Sequence, residues 1–161
     1  MYTFISTFLE NWNAFYSNHA AIRTLISFLH IGALVIGGGC AISADRMTLL
    51  AARREPAERH TQLMALRNSH QIVVVSLVVV MMSGLLLFAA DTGTFLHSTF
   101  FWIKMGLIAA LLSNGIVLTL AERKAEADMA GGWRALTITS TLSVALWLIT
   151  TLAGTALPNV G

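Results

Sequence analysis

Two ionisable residues, His30 and Lys104, stand inside long apolar runs, LISFLHIGALVIGGG and FFWIKMGLIAALL. An ionisable group in hydrocarbon is costly, so such residues mark an ion path, a counter-charge or a ligand site. Neutral imidazole binds metals, the iron of a haem among them, and a lysine amine can take the opposite position only while uncharged. The thioethers of Met82 and Met105 are the alternative second ligands, and His30 alone can serve as a single axial ligand. Arg23 and His97, nearer the ends of the same two runs, are placed to meet haem propionates. The competing reading has Lys104 snorkelling to the surface and His30 donating to a backbone carbonyl or to a threonine of the fourth run. A copper site or a proton route is also compatible with these residue types.

Helical spacing decides which way these groups face. His30, Ala33, Gly37 and Ala41 fall on one face, continued by Arg23 and Ser27. Helices in lipid associate through small residues, so this stripe points into a bundle. His97, Phe101, Lys104, Ile108, Leu111 and Gly115 form a second stripe. The first and third runs have the same direction, which puts His30 and Lys104 in the same half at similar depth.

The elements that carry them are membrane spans. Of the 161 residues, 56% are hydrophobic and 11% charged, against about 25% charged in soluble domains, and the mean hydropathy is +0.72. A helical span takes about 20 apolar residues, and four segments qualify, 22–43, 70–90, 100–120 and 135–157. Strict alternation over strand-length segments, the mark of a membrane β-barrel, is missing from runs such as VVVSLVVVMMSGLLLF. The expected fold is all-α: a polytopic membrane protein, a single domain over 1–161, with a four-transmembrane-helix bundle. Residues 1–18, with Phe4, Phe8, Trp12 and Phe15 near helical spacing, read as an N-terminal interfacial amphipathic helix, either an anchor or a lid. The segment lacks a basic leader region, so no cleavage is expected.

Charge sets the orientation. Arg46, Arg53, Arg54, Arg59 and Arg67 lie between the first two runs, and Arg123, Lys124 and Arg134 between the last two. These joints belong on the cytoplasmic side, with both termini periplasmic, in a bacterial inner membrane. The pI of about 9.1 therefore reflects topology, and no nucleic-acid partner is implied. Pro56 should open the second long helix, with Met47, Leu49 and Leu50 packing on Leu63, Met64 and Leu66. The joint DTGTFLHST reads as a tight turn, and Gly131-Gly132 as the break before the last span.

The remaining polar residues read more plainly. Cys40, the single cysteine, is a small packing residue. His70 is a solvated helix-end histidine, and His19 and His60 carry no role. Asn114, Ser76, Ser83, Thr137, Ser140, Thr141 and Ser143 are interhelical or back-bonded groups. No phosphate loop, CxxC, HExxH or CxxCH occurs.

The segments LHIGALVIGGG, SADRMTLL and FWIKMGLIAALLSNG resemble small four-span bacterial membrane proteins of the copper-resistance D type. An LH in the first span and a lysine opening the third also resemble the HemJ-type protoporphyrinogen oxidases, which bind haem b. The resemblance implies His30 and Lys104 as haem ligands. The leading expectation is a membrane protein holding a b-type haem near its periplasmic side, for electron transfer or porphyrin-related redox. A non-catalytic structural or accessory subunit of a larger membrane complex is the alternative. Besides the lipid bilayer, the partners compatible with these readings are a larger membrane complex or further copies of the chain. A copper-handling protein is the third.

Overall fold

The computed structural model describes residues 2–127 and 129–160. Its elements are α1 (Tyr2–Asn18), α2 (Ala20–Ala51), α3 (Pro56–Ala90), α4 (Thr92–His97), α5 (Thr99–Ala127) and α6 (Met129–Val160). Four stretches are long and apolar enough to cross a membrane: Ala20–Ala51, Ser69–Ala90, Thr99–Ala127 and Gly131–Ala156. They contain the first three segments expected from the sequence, and all of the fourth but its last residue. This is an all-α multi-pass membrane protein.

Packing is inverted relative to a soluble bundle. Large side chains such as Phe28, Val35, Val75, Met81, Ile116 and Leu152 face outward. Small and polar ones, among them Ala33, Gly37, Ala41, Ser76, Ser83, Ser140 and Ser143, face inward. In lipid there is no gain from hiding leucine, whereas small residues let backbones approach. A Cβ on Gly37 would meet Ser76 Cβ at 2.6 Å, and one on Gly38 would meet the Trp147 ring at 3.1 Å.

Two antiparallel hairpins, α2/α3 and α5/α6, join where α2 packs on α6. The order around the bundle is thus α3, α2, α6, α5, and the ring does not close, because α3 and α5 make little contact. Phe88 stacks on Phe101 across that seam with ring centroids 5.4 Å apart, at the end of the bundle where α4 lies. This end also carries α1, and is called here the termini end; the opposite one, with the arginine-rich joints, is the basic end.

The joints refine the sequence reading. Pro56 lies in the first turn of α3, as its spacing predicts. Arg59 donates to the carbonyls of Ala52 and Arg54, each at 2.9 Å, satisfying acceptors beyond the end of α2. The packing expected beside this joint is only half right. Leu63 and Leu66 are buried, but with Ala51, Ala121, Ala125, Trp133 and Leu136, while Met47, Leu50 and Met64 face outward. The side chains of His60 and Arg67 lie outside the described residues. The outer joint is more than a turn, because Asp91 accepts from Thr94 N at 3.2 Å and so caps α4. At the last joint α5 ends at Ala127 and α6 begins at Met129, so Gly131 and Gly132 belong to α6 and do not precede it.

α1 is tied to the bundle by two hydrogen bonds. Trp12 Nε1 donates to Leu86 O at 3.0 Å and Asn13 Nδ2 to Ala90 O at 2.6 Å, at the last turn of α3. Phe4, Phe8 and Phe15 remain exposed. Each bond contributes about 1 kcal/mol. The double change Trp12→Phe and Asn13→Ala should therefore speed hydrogen exchange through α1 while the four long helices keep their protection. Unchanged exchange in α1 would show that these two bonds do not hold it.

Candidate functional site

His30 is half-buried between α2 and α3. Its Nδ1 lies 3.1 Å from Val80 O and 3.0 Å from Ser83 Oγ. A carbonyl can only accept, so Nδ1 carries the proton. Ser83 has committed its own proton to α3, with Val79 O at 2.6 Å, and so receives from the imidazole. Neutral His30 then presents Nε2 as a bare lone pair, the tautomer of a metal-binding histidine whose ring is held by a carbonyl. Gly84 makes room for the ring, since a Cβ there would come within 3.2 Å of His30 Cε1.

Lys104 is half-buried on α5, with its Nζ beside Gly154 of α6, 3.5 Å from where a Cβ would stand. The helix register fixes its level against His30. Gly38 of α2 abuts Trp147 of α6. Eight residues along each antiparallel helix, His30 stands level with the residue after Gly154, the glycine that Lys104 touches. The two groups occupy one level of the termini half and lie within electrostatic range of each other.

The other sequence candidates are not gathered there. Arg23 is exposed and donates from its guanidinium to Ser17 O at the end of α1. His97 is exposed, with Nδ1 2.8 Å from Gly93 O. Met82 is 56% exposed and faces away from the interior, so it is not placed to complete a site with His30. Met105 is half-buried beside Lys104 in sequence. Among the described residues no three of His, Cys, Asp and Glu converge to hold a metal ion. Cys40 is a free, half-buried thiol.

The basic half holds a second constellation that the sequence reading missed. Where α3 and α5 part, a cleft of about 250 Å³ opens, floored by α2 and α6. Leu77, Leu111 and Trp147 are among its apolar walls, and Asp45, His70 and Glu122 are its ionisable lining. Asp45 is only 5% exposed. Ser143 and Ser140 of α6 are its polar neighbours, yet its Oδ2 and Ser140 Oγ have no partner at hydrogen-bonding distance. Glu122 lies within electrostatic range of Asp45. His70, expected to be a solvated helix-end residue, instead faces this cleft. Asn114 does what was expected of it, donating from Nδ2 to Thr139 O of α6 at 3.1 Å.

Asp45 was legible from its spacing. It continues the stripe His30, Ala33, Gly37, Ala41 by one further turn, but its neighbour Arg46 made the segment read as part of the charged joint. No family model, no curated protein and no solved structure matches this chain.

Proposed function

We propose that this protein holds a b-type haem in the termini half of the bundle, where His30 would bind its iron, for electron transfer or porphyrin-related redox. The observation that carries the reading is the His30 tautomer. Nδ1–H is fixed on Val80 O and Ser83 Oγ, which leaves Nε2 to coordinate.

The donor set suits a prosthetic group better than a free ion. One imidazole does not hold a bare metal, and no cluster of three ligating side chains occurs among the described residues. A haem brings four equatorial donors and asks the protein for one or two more. Lys104, at the same level, is the candidate for the second bond while its amine is uncharged. Bound haem supplies a one-electron couple whose potential follows its axial ligands and its burial. His30, held by Val80 O and Ser83 Oγ, would bind the group, and the stacked Phe88 and Phe101 would limit water at the termini end. With the basic joints on the cytoplasmic side, this level belongs to the periplasmic half of the membrane.

Protein purified from haem-replete cells should show a Soret band, which His30→Ala abolishes while helical content stays unchanged. Lys104→Met should retain haem and shift the spectrum. A folded, colourless preparation of the unaltered chain would overturn the proposal, as would a Soret band indifferent to His30→Ala.

A further inference from the structure

The cleft between α3 and α5 at the basic end is separate from the His30 level. Fifteen residues of α2 divide Asp45 from His30, about 22 Å along the helix. Its chemistry is also different, because it joins acidic groups to apolar walls.

Buried carboxylates in proteins are normally paired with a cation or fully hydrogen-bonded. Asp45 is neither. Its Oδ2 is unpartnered, and the one ion pair among the described residues, Arg54 with Glu58 at 2.8 Å, is an exposed one at the joint. The nearby basic side chains Arg46, Arg123 and Lys124 are exposed, and none of them lines the cleft. Glu122 adds a second carboxylate within electrostatic range, again with no lysine or arginine lining the cleft beside it. The site therefore gathers two carboxyl groups, hydroxyls and the His70 imidazole but no lysine or arginine, so a permanent positive charge would come from a ligand.

Size and lining narrow what would supply it. No trio of His, Cys, Asp and Glu converges for a metal among the described residues, so the lining does not offer an inorganic ion the several protein donors of a first shell. The walls are leucine, isoleucine and valine, with the Trp147 ring among them. Such walls suit the apolar part of an organic ligand and give a hydrated inorganic ion nothing. About 250 Å³ falls just below the roughly 300 Å³ at which drug-sized pockets begin, so the occupant is small. The seam opens sideways between two helices whose neighbouring side chains, Leu112 and Ile116 on α5 and Val74 on α3, are exposed apolar residues of the outer surface. A ligand dissolved in the membrane has direct access.

We infer that this cleft binds a small lipophilic organic cation, such as an aryl-alkyl ammonium, with its charge at Asp45 and Glu122 and its apolar part against Trp147 and the leucines. The inference does not depend on the haem reading.

Benzyltrimethylammonium is a suitable probe, and neopentylbenzene is its uncharged counterpart of the same shape. Calorimetric titration of the full chain in nanodiscs should give saturable binding of the cation and only non-saturating partition of the hydrocarbon. Asp45→Asn should weaken cation binding roughly thirtyfold or more, the lower end of what losing one partner of a buried charge pair costs. Glu122→Gln should weaken it less, and His30→Ala should leave it unchanged. Equal uptake of the two probes, no saturable binding, or binding untouched by Asp45→Asn would each overturn the inference. So would displacement of the probe by calcium or magnesium at equal concentration. Should Asp45→Asn fail to fold, the probe comparison and Glu122→Gln decide the matter.

Discussion

Gly132→Ala should pry apart the basic ends of α5 and α6 and lower thermal stability more than alanine at any other described glycine. A Cβ at this position would overlap the backbone of Ala125 and Lys124 on α5. Side chains can rotate away from an intruding methyl, but a backbone helix must translate. Overpacking ordinarily costs about 1–3 kcal/mol, and contact with main chain puts this site at the upper end or beyond. The displacement would also reach Trp133, Leu136, Ala121 and Ala125, the buried cluster that holds the basic end together. Gly39 and Gly115 are the controls. A Cβ at either would meet nothing within 4 Å, and alanine in a helix interior is favoured over glycine by about 1 kcal/mol. Thermal melts in detergent should rank Gly132→Ala far below both controls. A variant at 132 that melts with them would mean that the α5–α6 approach is looser than described.

The contrast between these glycines shows what the sequence can and cannot reveal. Gly37, Gly38, Gly39, Gly131 and Gly132 are all conspicuous in the sequence, yet Gly39 faces outward while Gly132 is jammed against a neighbouring backbone. Periodicity alone separates Gly37, on the His30 stripe, from Gly39. It cannot separate a glycine that breaks a helix from one that lets two helices touch, because that depends on the partner's position. For this reason the Gly131-Gly132 pair reads in the sequence as a break.

The spans were legible because hydropathy over about 20 residues is a strong signal set by bilayer thickness. The shared level of His30 and Lys104 was legible too, since helical rise converts residue count into depth. Which helix each would face was not. His30 finds Val80 and Ser83 on α3, not a threonine of α6, and only the pairing of hairpins decides that. The open seam was invisible for the same reason. Both α3 and α5 are apolar around most of their circumference, so neither shows a polar stripe announcing a cleft. The aspartate that marks it sits on a third helix, α2.

Replacing that aspartate should make the protein more stable. Asp45 is buried at the interface of α2 with α6, with one carboxylate oxygen unpartnered. An unsatisfied buried polar group costs about 1–3 kcal/mol, and more when charged. An apolar side chain of similar reach removes that cost and takes the same place in the largely apolar lining of the cleft. Asp45→Leu should accordingly raise the unfolding midpoint in ligand-free nanodiscs by the equivalent of about 1–3 kcal/mol. Ser140→Ala should do the same on a smaller scale, because its hydroxyl is also buried and unpartnered. Stability gained by deleting a polar group is what a binding site sacrifices to keep that group available. A lower midpoint for Asp45→Leu would instead mean that the carboxylate is held by Ser140 and Ser143 as a structural bridge between α2 and α6. The two outcomes have opposite signs, so one melting curve distinguishes a residue kept for a ligand from one kept for the fold.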